Sequence, residues 1–502
     1  MRNYNYSIVC SCGCAVAAFT LLVSGGNLFA QGNAAAPAPQ ARGGFGGFGG
    51  FGGFGGRGGP PPAWIEKGYD DHQNMMDQLG IKTLRPGKSG NNQTGPGFDD
   101  ATGNEWMSTM PDALTMKDGT KVTTADQWWS KRRPEILEDF EREVYGRIPA
   151  NVPKVTWEVT SVTTNKSAQT ITKMLIGHVD NSIFTNISVN IRASFTVPAN
   201  TPGPVPVLIS FGGVGGGGFG GFGGFGGGIS QQALSHGWGY GSIDPASIQA
   251  DAGGDALREG IIGLVNKGQP RKPDQWGALR AWGWGVGRLI DYFEANPDSQ
   301  VDPKKVGIEG VSRYGKAALV TEAFEPRVAV ALVGSSGEGG AKLHRHDYGE
   351  AVENLTGGEY YWMAGNFLKY GASDINGKSM NASDLPVDSH ELIALCAPRP
   401  CFISEGSESG GDPKWIDHPG SYRAGILASK VYELLGAKGY DDDIKDWIHA
   451  PLPPVTTLVG GQLAFRQHTG GHTDGPNVPA FFDWIGNYIK SPYTPAASEK
   501  SL

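Results

Sequence analysis

The sequence predicts an α/β fold, a three-layer sandwich with a mostly parallel central sheet and helices on both of its faces. Three observations carry this. From residue 205 short apolar runs alternate with stretches of helical length, the pattern of strands buried on both faces. The runs end in glycine-bearing turns, where the strands of such sheets meet their ligands. The chain, at 502 residues with 39% hydrophobic side chains, is long enough to form one large sheet.

Residues 1–30 read as a secretion signal. Arg2 is the positive end, Ala15 to Val23 the apolar core, and Leu28-Phe29-Ala30 a cleavage point before Gln31. The apolar core is short for a membrane span, so a protein secreted to the periplasm or the medium is expected, with no stable membrane span. Cys10, Cys12 and Cys14 leave with the signal; Cys396 and Cys401 remain, too few for a disulfide framework but enough for one bridge. Residues 31–62 pass from Ala/Pro into repeated Gly-Gly-Phe units, which carry too little apolar surface to offset their ordering, and read as a flexible tether. Residues 63–495 read as a single catalytic domain. The 78 glycines of the chain keep no triplet period, which excludes a collagen-like protein, and a net charge of -8 without a long basic block argues against nucleic-acid binding.

Within the domain, Asp71 to Leu84 is helical in pattern, residues 85–118 are a loop rich in Asn, Gly and Pro, and Trp128 to Tyr145 is a charged helix. Its Lys131-Arg132-Arg133 run reads as a solvated face. Residues 154–199 alternate in Val/Ile/Thr-rich stretches expected to be antiparallel strands. Buried strands follow at 205–211, 304–309, 328–333 and 399–404, with helices at 276–295, 315–325, 421–437 and 479–490. The Gly/Phe unit returns at residues 212–228, directly after the strand Pro206 to Phe211, and is therefore an expanded loop at a strand end.

The candidate nucleophile stands at one of these strand ends. Val306-Gly307-Ile308-Glu309 runs into Gly310-Val311-Ser312-Arg313-Tyr314-Gly315-Lys316 and then into a helix. A serine at a strand-to-helix turn between close glycines fits a nucleophile elbow, with the second glycine one residue later than usual; the plain alternative is a helix cap. A serine needs a base and an orienting acid. His472, in the glycine-rich loop after a short strand, is the better base; His468 is its rival, and a metal pair with Asp474 lacks a third and fourth ligand. No cofactor and no metal are expected. Asp412, after Gly410-Gly411 in the loop following the strand Pro400 to Ser404, is the preferred acid, with Glu408 and Glu338 as alternatives. Arg313 and Lys316 put two cations beside the serine, Lys316 about one helical turn away.

Assembled, these motifs resemble the glucuronoyl esterase family, carbohydrate esterase family 15, within the α/β-hydrolases. The family's Gly-Cys-Ser-Arg-x-Gly-Lys signature appears as Gly310-Val311-Ser312-Arg313-Tyr314-Gly315-Lys316, with valine for cysteine. The resemblance runs from about residue 68 to 490 and includes Leu84-Arg85-Pro86-Gly87 and the stretch Trp129 to Arg147. It implies a serine esterase of lignocellulose degradation, cleaving esters between lignin alcohols and the 4-O-methyl-glucuronic acid groups of glucuronoxylan. It also implies that Arg313 holds the oxyanion, that Lys316 and Glu350 bind sugar hydroxyls, and that Trp415 packs on the uronate ring. Two departures stand out. Where many members carry their acid in Glu-Ser-Gly-x-Gly-Gly, this chain has Ser335-Ser336-Gly337-Glu338-Gly339-Gly340, and the Asp-x-Trp of others is here the longer Asp412-Pro413-Lys414-Trp415. The Gly/Phe tract, for its part, flanks the expected oxyanion pocket. The competing readings are another carbohydrate esterase, such as an acetylxylan deacetylase, and a non-catalytic surface carbohydrate-binding protein.

Overall fold

Twelve strands form among the residues that the computed structural model describes, namely 61–212, 226–440 and 444–494. The secretion signal, the tether up to residue 60 and most of the second Gly/Phe tract lie outside the described residues. The strands are β1 (Ile81–Leu84), β2 (Val155–Asn165), β3 (Thr170–Val179), β4 (Asn190–Pro198), β5 (Val205–Phe211) and β6 (Gly239–Ile243). They continue as β7 (Val301–Val311), β8 (Val328–Gly334), β9 (Ala372–Ile375), β10 (Cys401–Gly406), β11 (Val459–Gly460) and β12 (Leu463–His468). Ten of them make one sheet in the order β11-β12-β10-β8-β7-β5-β6-β4-β3-β2, while β1 and β9 pair apart from it.

The two halves of this sheet follow from their side chains. Neighbours from β12 through to β6 are parallel, and β5, β8 and β10 are buried at nearly every position, as strands covered on both faces must be. From β6 to β2 the pairing is antiparallel, and β4 alternates exposed and buried residues as a strand with one wet face does. Alternation along the parallel strands divides the core in two. Leu208, Val330, Leu332, Phe402 and Ala464 pack on the helices Gly226–Ser235 and Val478–Ile485 through Ala233, Phe481 and Trp484. Their sequence neighbours Ile209, Ala331, Val333, Ile403 and Phe465 face the larger core beneath the helices Ala278–Ala295, Arg313–Phe324 and His418–Leu434. These are the three layers expected.

Some local expectations need correction. The helix from Asp71 stops at Leu79 because Gly80 adopts a left-handed cap (φ 71°), and Ile81–Leu84 becomes a strand paired with β9. The strand expected at 399–404 occupies Cys401–Gly406 instead, since Pro398 and Pro400 have no N–H to offer a ladder. Strand β6, Gly-Tyr-Gly-Ser-Ile, has too few β-branched residues to announce itself. The Lys131-Arg132-Arg133 run is not wholly solvated, because Arg132 is buried with its guanidinium 2.6 Å from Glu391. Cys396 and Cys401 are buried free thiols. No helix among the described residues is long and apolar enough to cross a membrane.

Candidate active site

Strand β7 ends at Val311 and a helix begins at Arg313, so Ser312 is the whole turn between them, at φ 63° and ψ -129°. A non-glycine residue there stores about 1–3 kcal/mol of strain and persists only where its surroundings over-determine it. Here they do. The Ser312 N–H donates to the Gly334 carbonyl at 2.9 Å, and the Ser312 carbonyl accepts from the Lys316 N–H at 3.0 Å. A Cβ on Gly310 would stand 2.4 Å from the Tyr314 carbonyl, and one on Gly315 equally 2.4 Å from the Gly334 carbonyl. The late glycine of the motif therefore lets the first helical turn lie against the end of β8. Ser312 makes no side-chain capping bond, which leaves the cap reading without support. Phe211, where β5 enters the Gly/Phe tract, stacks on Tyr314 at 6.3 Å.

The acid and base candidates meet at the ends of β10 and β12. Asp412 Oδ1 lies 2.7 Å from His472 Nδ1. Its other oxygen, Oδ2, accepts from Ser335 Oγ at 2.7 Å, from the Gly406 N–H at 2.9 Å and from His418 Nε2 at 3.2 Å. Burial alone would raise the Asp412 carboxyl; the hydrogen bonds of His418 and His472 outweigh it and hold the group well below the usual carboxylate range. An ionised Asp412 makes Nδ1 of His472 the donor and leaves Nε2 as the basic nitrogen. The link to the serine runs along the strand ends: Ser312 bonds Gly334, the next residue Ser335 donates its N–H to Ser404 at 2.8 Å, and its hydroxyl holds Asp412.

The alternatives sit elsewhere. His468 has both ring nitrogens engaged within its own loop, Nε2 with the Thr473 carbonyl at 2.6 Å and Nδ1 with the Gly470 N–H at 3.1 Å. Glu408 is exposed, with its nearest cation, Lys414, 3.9 Å away. Glu338 is fully buried against Lys342 at 2.8 Å and His344. Ser335, the serine at the position that the resemblance marks for the acid, holds the acid candidate Asp412 by its hydroxyl, from the loop after the neighbouring strand β10.

Arg313 and Lys316 are more constrained than solvent-exposed cations. Arg313 Nη1 donates to Asp251 Oδ2 at 2.6 Å, and Trp362 Nε1 donates to the other oxygen at 2.7 Å. The Arg313 guanidinium lies 5.4 Å and the Lys316 ammonium 5.6 Å from the centre of the Trp362 ring. Lys316 is buried, donating to Glu350 Oε2 at 2.6 Å and to the Ser336 carbonyl at 2.7 Å. Glu350 in turn donates its N–H to the Trp415 carbonyl at 2.8 Å, and Trp415 is half-buried. Lys316, Glu350 and Trp415 thus form one connected strip, with Trp362 joining it to Arg313. Asp251, Trp362, His418 and Ser335 were not singled out by sequence for these contacts, since none belongs to a motif with a recognisable spacing.

A parallel sheet with a serine elbow and an Asp–His pair at its carboxyl ends defines an α/β-hydrolase. A family model described as "Glucuronyl esterase, fungi" matches residues 271–436. A 4-O-methyl-glucuronoyl methylesterase of Schizophyllum commune is 31% identical over 336 residues, 66% of this chain and 74% of that protein. A carbohydrate esterase from an unknown prokaryotic organism is 29% identical over 72% of this chain and 85% of its own length. Among solved structures, a glucuronoyl esterase from Teredinibacter turnerae superposes with a TM-score of 0.74 at 36% identity, covering 83% of this chain and 98% of that one. One from Solibacter usitatus gives 0.62 at 31% identity, covering 75% and 96%. The chain belongs to the glucuronoyl esterase family, carbohydrate esterase family 15, and is a carboxylic ester hydrolase.

Proposed function

We propose that this protein is a secreted serine esterase that hydrolyses 4-O-methyl-glucuronoyl esters joining lignin alcohols to glucuronoxylan. The observation that carries the reading is the 2.7 Å contact between buried Asp412 and His472, in a sheet whose strand β7 ends on a serine held at φ 63°. Ser312 Oγ attacks the glucuronoyl carbonyl while His472 Nε2 takes its proton, and the negative charge of Asp412 stabilises the imidazolium. The tetrahedral oxyanion forms at the start of the helix Arg313–Phe324, where backbone N–H groups and the Arg313 guanidinium favour negative charge. His472 then protonates the departing alcohol, and the same nitrogen activates the water that releases glucuronate and regenerates Ser312.

The acid half of such an ester is the sugar, so recognition falls to groups around the elbow. Lys316, Glu350 and Trp415 supply a donor, an acceptor and an aromatic face in one strip, which suits a hydroxyl-rich ring. The names of the relatives support the glucuronoyl half of the substrate; the secretion signal at residues 1–30, outside the described residues, supports export. A fluorophosphonate probe mapped by mass spectrometry tests the reading together with turnover of methyl glucuronate against acetylated xylan. A single adduct on Ser312, lost in Ser312→Ala, with turnover of the glucuronate ester, is expected. An adduct elsewhere removes the nucleophile, and preference for acetylated xylan makes the protein an acetylxylan esterase.

A further inference from the structure

The proposed mechanism uses one histidine, yet a second, wholly buried one is bound to the same carboxylate. His418 is the first residue of the helix His418–Leu434, and its Nε2 lies 3.2 Å from Asp412 Oδ2. Together with Ser335 Oγ and the Gly406 N–H, it makes three donors on one carboxylate oxygen. Among the described residues, the opposite oxygen meets the His472 imidazole. Asp412 is thus anchored by one oxygen from three different segments and presents the other.

We propose that His418 is a positioning residue for ester hydrolysis: its Nε2–H, with Ser335 Oγ–H, fixes Oδ2 of Asp412 and so aims Oδ1 at His472. The inference rests on the reading of Asp412 and His472 as acid and base. His418 also brings a positive charge. Burial would strip its proton, but the hydrogen bond to Asp412, with the charges of Glu405 and Asp412, outweighs this and raises the imidazole to about 9; Glu405, itself pushed up by burial to about 8, is charged only above that, so toward acid the charge of Asp412 is the one that remains. The groups that face it are Asp412, Glu405 on β10, Glu408 in the turn beyond, the adjoining Asp417, and His468 on β12. Asp417 is itself bonded to His346 at 2.6 Å. A carboxylate already bonded to one imidazolium stabilises a second one less. His418 therefore extends esterase activity toward acid.

Two substitutions separate the hydrogen bond from the charge. In His418→Leu both are lost: kcat on methyl glucuronate falls on the order of 10-fold, the value of one hydrogen bond to a charged group, and KM stays unchanged. In His418→Gln the amide nitrogen still reaches Oδ2, so most of kcat returns. In both, the acidic limb of the kcat/KM profile moves up by about one unit, because the neighbouring positive charge is gone. Asp412→Asn serves as the control on the underlying reading, with thermal melting to verify folding. If Asp412→Asn is inactive while folded His418→Leu keeps wild-type kcat and an unmoved acidic limb, His418 has no positioning role and the acid assignment survives. If Asp412→Asn is active, the acid assignment falls and this inference with it. Should His418→Leu fail to fold, the His418→Gln profile decides, and an unmoved limb overturns the proposal.

Discussion

Replacing Asp412 by asparagine is the sharpest test of the site, because the structure dictates which way the new amide must face. Oδ2 is surrounded by three donors, Ser335 Oγ, the Gly406 N–H and His418 Nε2, at 2.7, 2.9 and 3.2 Å. An amide NH2 placed there would meet donors only, so the amide oxygen takes that position and the NH2 turns toward His472. His472 Nδ1, 2.7 Å away in the native site, must then accept a hydrogen bond, which moves the ring proton to Nε2. The nitrogen that should take the proton of Ser312 already carries one. Such a tautomer error costs about 10⁴-fold in kcat, or roughly 5 kcal/mol of transition-state stabilisation. No ground-state contact with substrate is assigned to Asp412, so KM should hold within a few-fold. Steady-state kinetics on methyl glucuronate, with circular dichroism and thermal melting on the same preparation, measure both terms. A folded Asp412→Asn protein with a kcat loss under 100-fold would refute the orientation argument and the acid assignment behind it.

Other outcomes follow from the same contacts. Arg313→Ala should lower kcat by about 100-fold, the worth of a placed oxyanion donor, and Asp251→Asn should lower it less by releasing the guanidinium it holds at 2.6 Å; unchanged kcat in Arg313→Ala would remove it from that role. Lys316→Ala should chiefly raise KM, and it should also lower the melting temperature by leaving Glu350 a buried, unpaired charge. Gly315→Ala, whose Cβ would lie 2.4 Å from the Gly334 carbonyl, should destabilise the fold by about 1–3 kcal/mol and reduce kcat by displacing Ser312; a variant with native melting and turnover would contradict the packing of the elbow. Glu338→Gln should keep most activity while losing stability. Burial would raise the Glu338 carboxyl, but Lys342 and His344 hold it at about 2, below its ordinary 4.5, so its contribution is complete above about 4.5 and fades as pH falls toward 2. Urea melts from pH 2 to 7 should therefore show a shallower acid loss in Glu338→Gln than in the parent protein.

What could be read from sequence, and what could not, divides along physical lines. Val205–Phe211, Val328–Gly334 and the helix Ala278–Ala295 were legible to within two residues, because uninterrupted apolar runs and helical periodicity are local signals. Ser312 was legible because its constraint is also local: a positive φ and two close backbone approaches need glycines within three residues of it. Boundaries set by caps or prolines, as at Gly80 and Pro400, were displaced. The supporting residues Asp251, Trp362, Ser335 and His418 were not legible at all. Asp251 lies 62 residues from Arg313, and Ser335 lies 77 from Asp412, joined only through the sheet order.

That order also explains why the acid was the hardest residue to place. β8 and β10 are adjacent and parallel, and Ser335 and Asp412 follow their carboxyl ends; the two side chains touch at 2.7 Å. A carboxylate entering from either loop therefore arrives behind the same histidine. The serine has no such freedom, because its strained turn belongs to β7, and His472 is held by the loop that His468 braces after β12. Sequence spacing constrains the serine, whose backbone is strained, and leaves open the residue whose only requirement is to bring a charge to the back of the imidazole. Here Asp412 brings that charge from the longer Asp-Pro-Lys-Trp turn. A short hydroxyl at 335 fits the remaining space, donates to the acid, and avoids the like-charge pair that two carboxylates in contact would make.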